Sequence, residues 1–584
     1  LIAALLAVVL ATPGYIDDAA CGECHAEQFA SFQHVGMAKS FSRPRPENAI
    51  EDFSAPPFFH EPSRQYFEMR KRGDALVFRR YELAADGAPI HVFEQQVDWI
   101  LGSGNHARTY LYRTPNGELY QLPIAWYTQT RQWGMAPGYD HRDHEGVTRR
   151  VRNECMFCHN AYPEVAAEPL SYWRSQALPE HLPEGIGCQR CHGPGARHAA
   201  VAVGGNAAAI RASIVNPARL DPRRRIDVCY ECHMQPSVSL FGARKFGRDI
   251  YSFRPGQLLA DYAPQIDVTD AKLPRAERFE INHHPYRLEQ SRCFRESAGR
   301  LTCLTCHDPH RKVSESESAA HYRAACLACH AKAHNTTADC TSCHMPKRRT
   351  QDVVHVVMTD HFIRRTPGGR ELIAPIEERE PAIAGVDFLD PGSAPSGALG
   401  ELYRLIPLVR ASATEPLVRR LEQLIEQIQP PEIEPYLDLA MGELRTRRYP
   451  ELERTAARVL ARAPAQPLAL EWLGLARAAQ SNKPDDAIPF LREALRSDPR
   501  PETQFNLGVF LASRGRTEDA IALYQQALAA RPNLAAAWSR LGDAHRECGD
   551  LASAIDDYRR ASAIDPAQKR YSAQLNDALE AFAH

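Results

Sequence analysis

At 584 residues the chain is longer than one typical domain. A formal net charge of −2 gives no bulk attraction to nucleic acid or to an anionic membrane surface. Apolar residues make up 44%, ordinary for a globular fold, and 43 prolines point to a large loop content.

In chain order, the apolar run from Leu1 to Ala11 comes first. It is too short to span a bilayer. It reads as the apolar core of a secretory signal remnant over residues 1–15, with cleavage expected between Ala11 and Tyr15. An uncleaved anchor is the alternative. Either places the chain outside the cytoplasm, periplasmic or extracellular.

Seven copies of Cys-x-x-Cys-His follow: Cys21, Cys24 and His25; Cys155, Cys158 and His159; Cys188, Cys191 and His192; Cys229, Cys232 and His233; Cys303, Cys306 and His307; Cys326, Cys329 and His330; Cys340, Cys343 and His344. This pattern reads as c-type haem attachment. Both thiols add to the porphyrin vinyl groups and the adjacent imidazole binds the iron, so all three must reach one macrocycle from one short turn. With 16 Cys and 24 His in the chain, about 0.02 matches are expected by chance. Halves of zinc sites and a disulfide framework are the rival readings. Zinc pairing does not require a His after every second Cys, and seven halves leave one unmatched. Disulfide frameworks suit neither the tight spacing nor its repetition. Cys293 and Cys548 are left over and read as packing residues.

Between the first and second motifs, Gln65–Lys71, Ala75–Glu82, Ile90–Ile100, Thr109–Arg113 and Glu118–Tyr127 are rich in β-branched and aromatic residues. Thr114-Pro115-Asn116-Gly117 is a hairpin signal. A small antiparallel β insertion over about 60–130 is expected. From Cys155 on, the first cysteines lie 33, 41, 74, 23 and 14 residues apart. Such segments are too short for side-chain cores of their own, so short helices and loops wrapped around stacked haems are expected over 16–365. Pro367, Pro375, Pro381, Pro391 and Pro395 mark 366–400 as a linker.

After Gly400 a 34-residue period appears: Gly474, Gly508 and Gly542; Tyr524 and Tyr558; Pro532 and Pro566. It is the tetratricopeptide signature. The expected fold is therefore mainly α: a haem-packed, loop-rich cytochrome domain with a β insertion, then a tetratricopeptide α-solenoid over 401–584.

A haem that only passes electrons takes a second axial ligand. Fifteen histidines outside the motifs lie before residue 370, and two lie after it. His34, His106, His198, His284, His310, His355 and His361 are the candidates for the far side of the irons, with His283 a rival to His284. His310 lies three residues from His307 and His198 six from His192. His310 is too near to reach the far side of its own haem and is better placed on a neighbour. His198, beyond a Gly-Pro-Gly turn, is read in the same way.

Cys191-His192-Gly193-Pro194-Gly195 with His198, Cys303–His310 and Cys343-His344-Met345-Pro346-Lys347 resemble multihaem cytochromes of the paired Cys-x-x-Cys-His class. That class includes the tetrahaem cytochrome that receives electrons from hydroxylamine oxidoreductase, and bacterial multihaem proteins with tetratricopeptide repeats. The resemblance implies seven covalent c-type haems, mostly bis-histidine, and electron transfer between redox partners docked through the repeats. Related enzymes act on small nitrogen or sulfur compounds at one open haem, which sets the alternative: an oxidoreductase for nitrite, hydroxylamine or tetrathionate. Nitrite reductases often attach that haem through Cys-x-x-Cys-Lys, which this sequence lacks. Arg149, Arg150, Arg152 and Tyr139 are the candidate helpers near such an iron.

Overall fold

The computed structural model describes residues 14–161, 172–173, 176–235, 243–330, 339–366, 370–390, 392 and 394–583. The expected signal segment lies, apart from Gly14 and Tyr15, outside the described residues. Among those described, no helix is long and apolar enough to cross a membrane.

The β unit is wider than 60–130. It comprises β1 (Phe41–Ser42), β2 (Phe58–His60), β3 (Gln65–Arg72), β4 (Ala75–Leu83), β5 (Pro89–Gln96), β6 (Trp99–Leu101), β7 (Ala107–Arg113), β8 (Leu119–Tyr127), β9 (Gln132–Met135) and β10 (Arg150–Val151). These form two antiparallel sheets, β2-β3-β4-β5 and β1-β6-β7-β8-β10, with β9 beside β8. The strand expected over 90–100 is two strands. The chain passes from one sheet to the other at Val97 and Asp98, where Asp98 accepts a 2.7 Å hydrogen bond from the Arg113 N–H. Alternation buries Gln65, Phe67 and Met69 on one face of β3. With Phe78, Tyr110, Leu122, Ile124 and Trp126 the inner faces make one apolar core. Full burial of side chains of this size contributes about 1.5–3 kcal/mol each. The β7–β8 hairpin closes where the sequence marks it: Gly117 takes φ +89°, and its N–H donates to Thr114 O at 2.9 Å. A Cβ at that φ is strained.

From Asn153 to Ile363 the elements are short. Apolar clusters here are small: Ile226, Tyr230, Met234, Phe253 and Leu259 form one, Phe157, Ile250 and Tyr251 another. The proline-rich stretch is not only a connector. Ile383–Phe388 is a strand antiparallel to Ile266–Asp270, with Ile266 opposite Phe388, and helix Gly397–Ala411 begins inside the stretch.

From Glu434 the chain is a stack of helix pairs, closing with Lys569–Ala583. Small residues set the closeness of each pair: a Cβ on Gly508 would come within 2.6 Å of the Tyr524 ring, and one on Gly542 within 2.7 Å of Tyr558.

The stack folds back onto the rest of the chain at two places. Near its start, Phe246 stacks on Tyr403 at 4.5 Å, Trp173 meets Trp472 edge-on at 5.7 Å, and Gly247 N–H donates to Glu434 at 3.1 Å. Near its end, Ala535, Ala561, Ile564 and Tyr571 join the core of the β unit. Arg531 grips Glu118 of the β7–β8 hairpin through two nitrogens, at 2.8 and 3.0 Å. It also reaches Glu502 at 2.9 Å, while Arg150 approaches Glu118 at 2.7 Å. Asn533 donates to the Tyr112 hydroxyl at 2.6 Å, and the buried Arg80 guanidinium donates to the carbonyls of Ala563 and Ile564.

Glu118 and Arg531 are only 4% and 7% exposed. Removing Arg531 leaves Glu118 to Arg150 alone and takes a partner from Glu502, at a cost of up to the roughly 3–5 kcal/mol of a broken buried pair. Arg531→Ala is therefore expected to lower the denaturant midpoint by a corresponding amount. Adding Glu118→Gln to that variant is expected to recover part of the loss, and additive losses in the double variant would contradict this account.

Candidate functional site

Each motif sits on one turn of helix, and the turn closes on itself. The His25 N–H donates to Cys21 O at 2.9 Å, His307 to Cys303 O at 2.9 Å and His330 to Cys326 O at 3.0 Å. Asn153–His159, Cys188–His192, Pro222–His233 and Cys340–His344 carry their motifs wholly within a helix. A single turn thus presents two thiols and one imidazole together. Side-chain caps begin several of these helices: Asp221 accepts from the Arg223 and Arg224 N–H groups, and Asp339 from Thr341.

The motifs meet through their sulfurs. Cys21 lies beside Cys188, and electrostatic neighbours are Cys158 and Cys232, Cys229 and Cys303, and Cys326 and Cys340. Asp18 joins the first pair, the three donor atoms lying within 4.8 Å of one another. It is fixed there by the Cys188 N–H at 2.8 Å and the Gln189 amide at 3.0 Å. Nothing in the spacing of the motifs marks Asp18 or Gln189; both are recognisable only once residues 16–18 are seen against the Cys188 helix.

One cavity of about 1830 Å³ runs through the region, well above the roughly 300–1,000 Å³ of ordinary small-ligand pockets. Cys155, Cys158, His159, Cys191, Cys229, Cys232, His233, Cys303, Cys306, His307 and Cys326 line it. Cys24, His25, Cys329, His330 and Cys343 are exposed and are not among the residues that line it.

Of the candidate far-side histidines, His198 faces His25 with ring centres 6.3 Å apart, His310 faces His192 at 5.9 Å, and His361 faces His307 at 6.1 Å. His106 and His284 line the cavity, each with a buried Nδ1 that has no hydrogen-bond partner, as has His159. His283, the rival of His284, is held among carboxylates instead, 3.4 Å from Glu280 and 3.7 Å from Asp267. His34 lies exposed on the turn after helix Ala26–Phe32. His355 is not brought to the motifs: its Nε2 is 3.2 Å from Asp140, and its ring meets Tyr127 edge-on.

Burial disfavours the charged form of six of these imidazoles. Burial pushes His159 and His361 down to about 4, and lowers His192, His233, His284 and His307 as well. Several are fixed through Nδ1: His192 on Val215 O at 2.8 Å, His344 on Arg364 O at 2.7 Å, His361 on Thr359 O at 3.1 Å and His198 on the Ser213 hydroxyl at 3.0 Å. An Nδ1–H engaged in this way leaves the Nε2 lone pair for a metal, the usual second layer around a ligating histidine. Helix His284–Glu289 is tied to the His361 segment by Arg287, which grips Asp360 at 2.9 and 2.7 Å with both side chains fully buried.

Of the candidate substrate helpers, Arg149, Arg150 and Arg152 line the cavity, and all four have protein partners. Arg149 covers Tyr139 at 3.9 Å and donates to Pro137 O. Arg150 is paired with Glu118 and Arg152 with Glu154. The Tyr139 hydroxyl donates to Gln121 O. Cys548, expected to pack, is exposed just past the end of helix Ala535–Glu547.

A family model for the tetratricopeptide repeat matches residues 437–501, 477–535 and 505–569. The C-terminal stack therefore consists of tetratricopeptide repeats, a protein-interaction module. The Hsp70-Hsp90 organizing protein of Triticum aestivum is 40% identical over 78 residues, 13% of this chain and 13% of its own length. Among solved structures, a thermophilic tetratricopeptide-repeat protein of Thermus thermophilus aligns over 31% of this chain and 99% of its own, with 20% identity and a TM-score of 0.27. MamA aligns over 25% of this chain and 81% of its own, with 24% identity and a TM-score of 0.23.

The Asp140 tie gives a pH dependence. Hydrogen bonds from His355 and His60 hold the Asp140 carboxyl below its ordinary value. A carboxyl depressed in the folded state contributes stability above its unfolded value of about 3.9 and loses it as pH falls through the folded one. Asp140→Asn should thus be less stable than the parent at pH 6, and the difference should shrink below about pH 4. A difference that is independent of pH in thermal melts would refute the tie.

Proposed function

We propose that the chain is an exported seven-haem c-type cytochrome that passes electrons between redox proteins. The observation that supports this best is the gathering of helical Cys-x-x-Cys-His turns from motifs scattered over Cys155–His330 around one large cavity. The donor set fits the group: paired thiols for covalent attachment, imidazoles such as His192 and His344 already held through Nδ1, and buried imidazoles such as His159, whose Nδ1 has no other partner. Cys21 to Cys343 would hold the macrocycles, with His25, His159, His192, His233, His307, His330 and His344 on the irons. When bound, haem iron supplies reversible one-electron chemistry. The chain's own residues orient the imidazoles through their Nδ1 partners and bury the inner sites.

The carrier reading is favoured over an oxidoreductase because His198, His310 and His361 each face a motif histidine and can close the far side of an iron; Arg149, Arg150 and Arg152 line the cavity, each tied to a protein partner. The repeats serve protein contact, and part of that contact is with this chain itself.

Haem-specific absorbance of the denatured protein, set against protein concentration, tests the reading. Seven covalent haems per chain are expected, and Cys229→Ala with Cys232→Ala should lower the count to six. A protein matured in a cytochrome c-competent host without covalent haem would refute it.

A further inference from the structure

The seven sites are not seven independent beads. Two imidazoles on opposite faces of one iron, each bonded at about 2 Å, have ring centres roughly 6 Å apart. Among the described residues, three of the histidine pairs at that spacing include a motif histidine, at 6.3, 5.9 and 6.1 Å: His25 with His198, His192 with His310, and His307 with His361; His60 and His141, each near His144, share the spacing away from any motif. The near approach of His284 to His361, 4.4 Å, is too short for the same role.

The origin of the second member of each pair forms a series. His198 follows the third motif and meets the first. His310 follows the fifth motif and meets the third. His361 follows the seventh motif and meets the fifth. The backbone carries each of them away from its own motif. Gly193 takes φ +77° directly after His192. The chain leaves its helix at His307 in an extended conformation, φ −120° and ψ 131°. After His344 a hairpin, Lys347–Arg349 with Val357–Thr359, returns the chain to His361. The Cys21–Cys188 contact joins the first and third motifs independently of the rings.

Resting on the haem reading above, we infer that the odd-numbered sites form an interlocked ladder: His198 is the far-side ligand of the first iron, His310 of the third and His361 of the fifth. Each odd site is completed by the segment that follows the next odd motif. Removing such a histidine opens the iron two motifs upstream and leaves its own motif closed.

The test uses the full chain. His198→Gly should keep seven covalent haems while one iron in seven turns from low-spin to high-spin in electron paramagnetic resonance, and added imidazole should return it. The high-spin signal should vanish when Cys21→Ala and Cys24→Ala remove the first site, and persist when Cys188→Ala and Cys191→Ala remove the third. His310→Gly repeats the logic one step on, with the signal lost on removal of the third site. If a glycine variant fails to accumulate, His198→Met replaces it, and a methionine–iron charge-transfer band is the readout. Seven low-spin irons in His198→Gly, or a signal that survives loss of the first site, would overturn the ladder. A haem count short of seven in the unmutated chain strikes the underlying reading instead, and a full count with unchanged spin states strikes the ladder alone.

Discussion

A segment that devotes its residues to closely spaced Cys-x-x-Cys-His turns cannot also build an apolar core. That constraint governs the molecule. The stretch holding six of the motifs has only small side-chain clusters of its own. The large cores lie in the β unit and in the helical repeats. The β unit walls the motif filling on one side, and helix Gly397–Ala411, ahead of the repeats, lines its cavity on another through Pro407, Arg410 and Ala411. The β unit and the repeats are joined directly, through Arg531, Glu118, Asn533 and Tyr112, so their contact does not depend on the filling alone.

Polar ties within the filling follow the same need. Arg287 and Asp360 are fully buried and bidentate, and Arg278 is shared between Asp267 and Glu280. Charges placed so deep are tolerated only when paired in good geometry. Each of these clusters lies beside a histidine: Asp360 of the first precedes His361, and Asp267 and Glu280 of the second lie 3.7 and 3.4 Å from His283. The electrostatics of the interior thus position histidines as well as holding loops.

Local patterns were legible in the sequence, and distant partnerships were not. Strands β3, β4, β7 and β8 coincide with their alternating runs because each carries its own signal, and Gly117 marks its hairpin by itself. The 34-residue period shows the repeats because every repeat re-states the same packing problem, as the Gly508–Tyr524 and Gly542–Tyr558 contacts show. The strand at 383–388 was hidden among prolines, since its partner lies over a hundred residues away and lends it no local pattern. Arg531 and Asn533 flank Pro532 in what reads as a mere inter-repeat loop. His355 and His361 are six residues apart and alike in sequence context, yet one turns to Asp140 and the other to His307. Only the hairpin between them separates their fates.

Repeat stacks contact only their neighbours along the line, and therefore flex like springs. Here the spring is pinned twice, at Tyr403 and Trp472 near one end and at Arg531 and Ile564 near the other. Its number of coils then acts as a ruler, setting the separation between the Phe246 region and the β hairpin that those pins hold. Inserting or deleting one 34-residue unit between the pins would alter a length that both sets of contacts share, so the repeat number is under mechanical constraint here, unlike that of a free-standing solenoid.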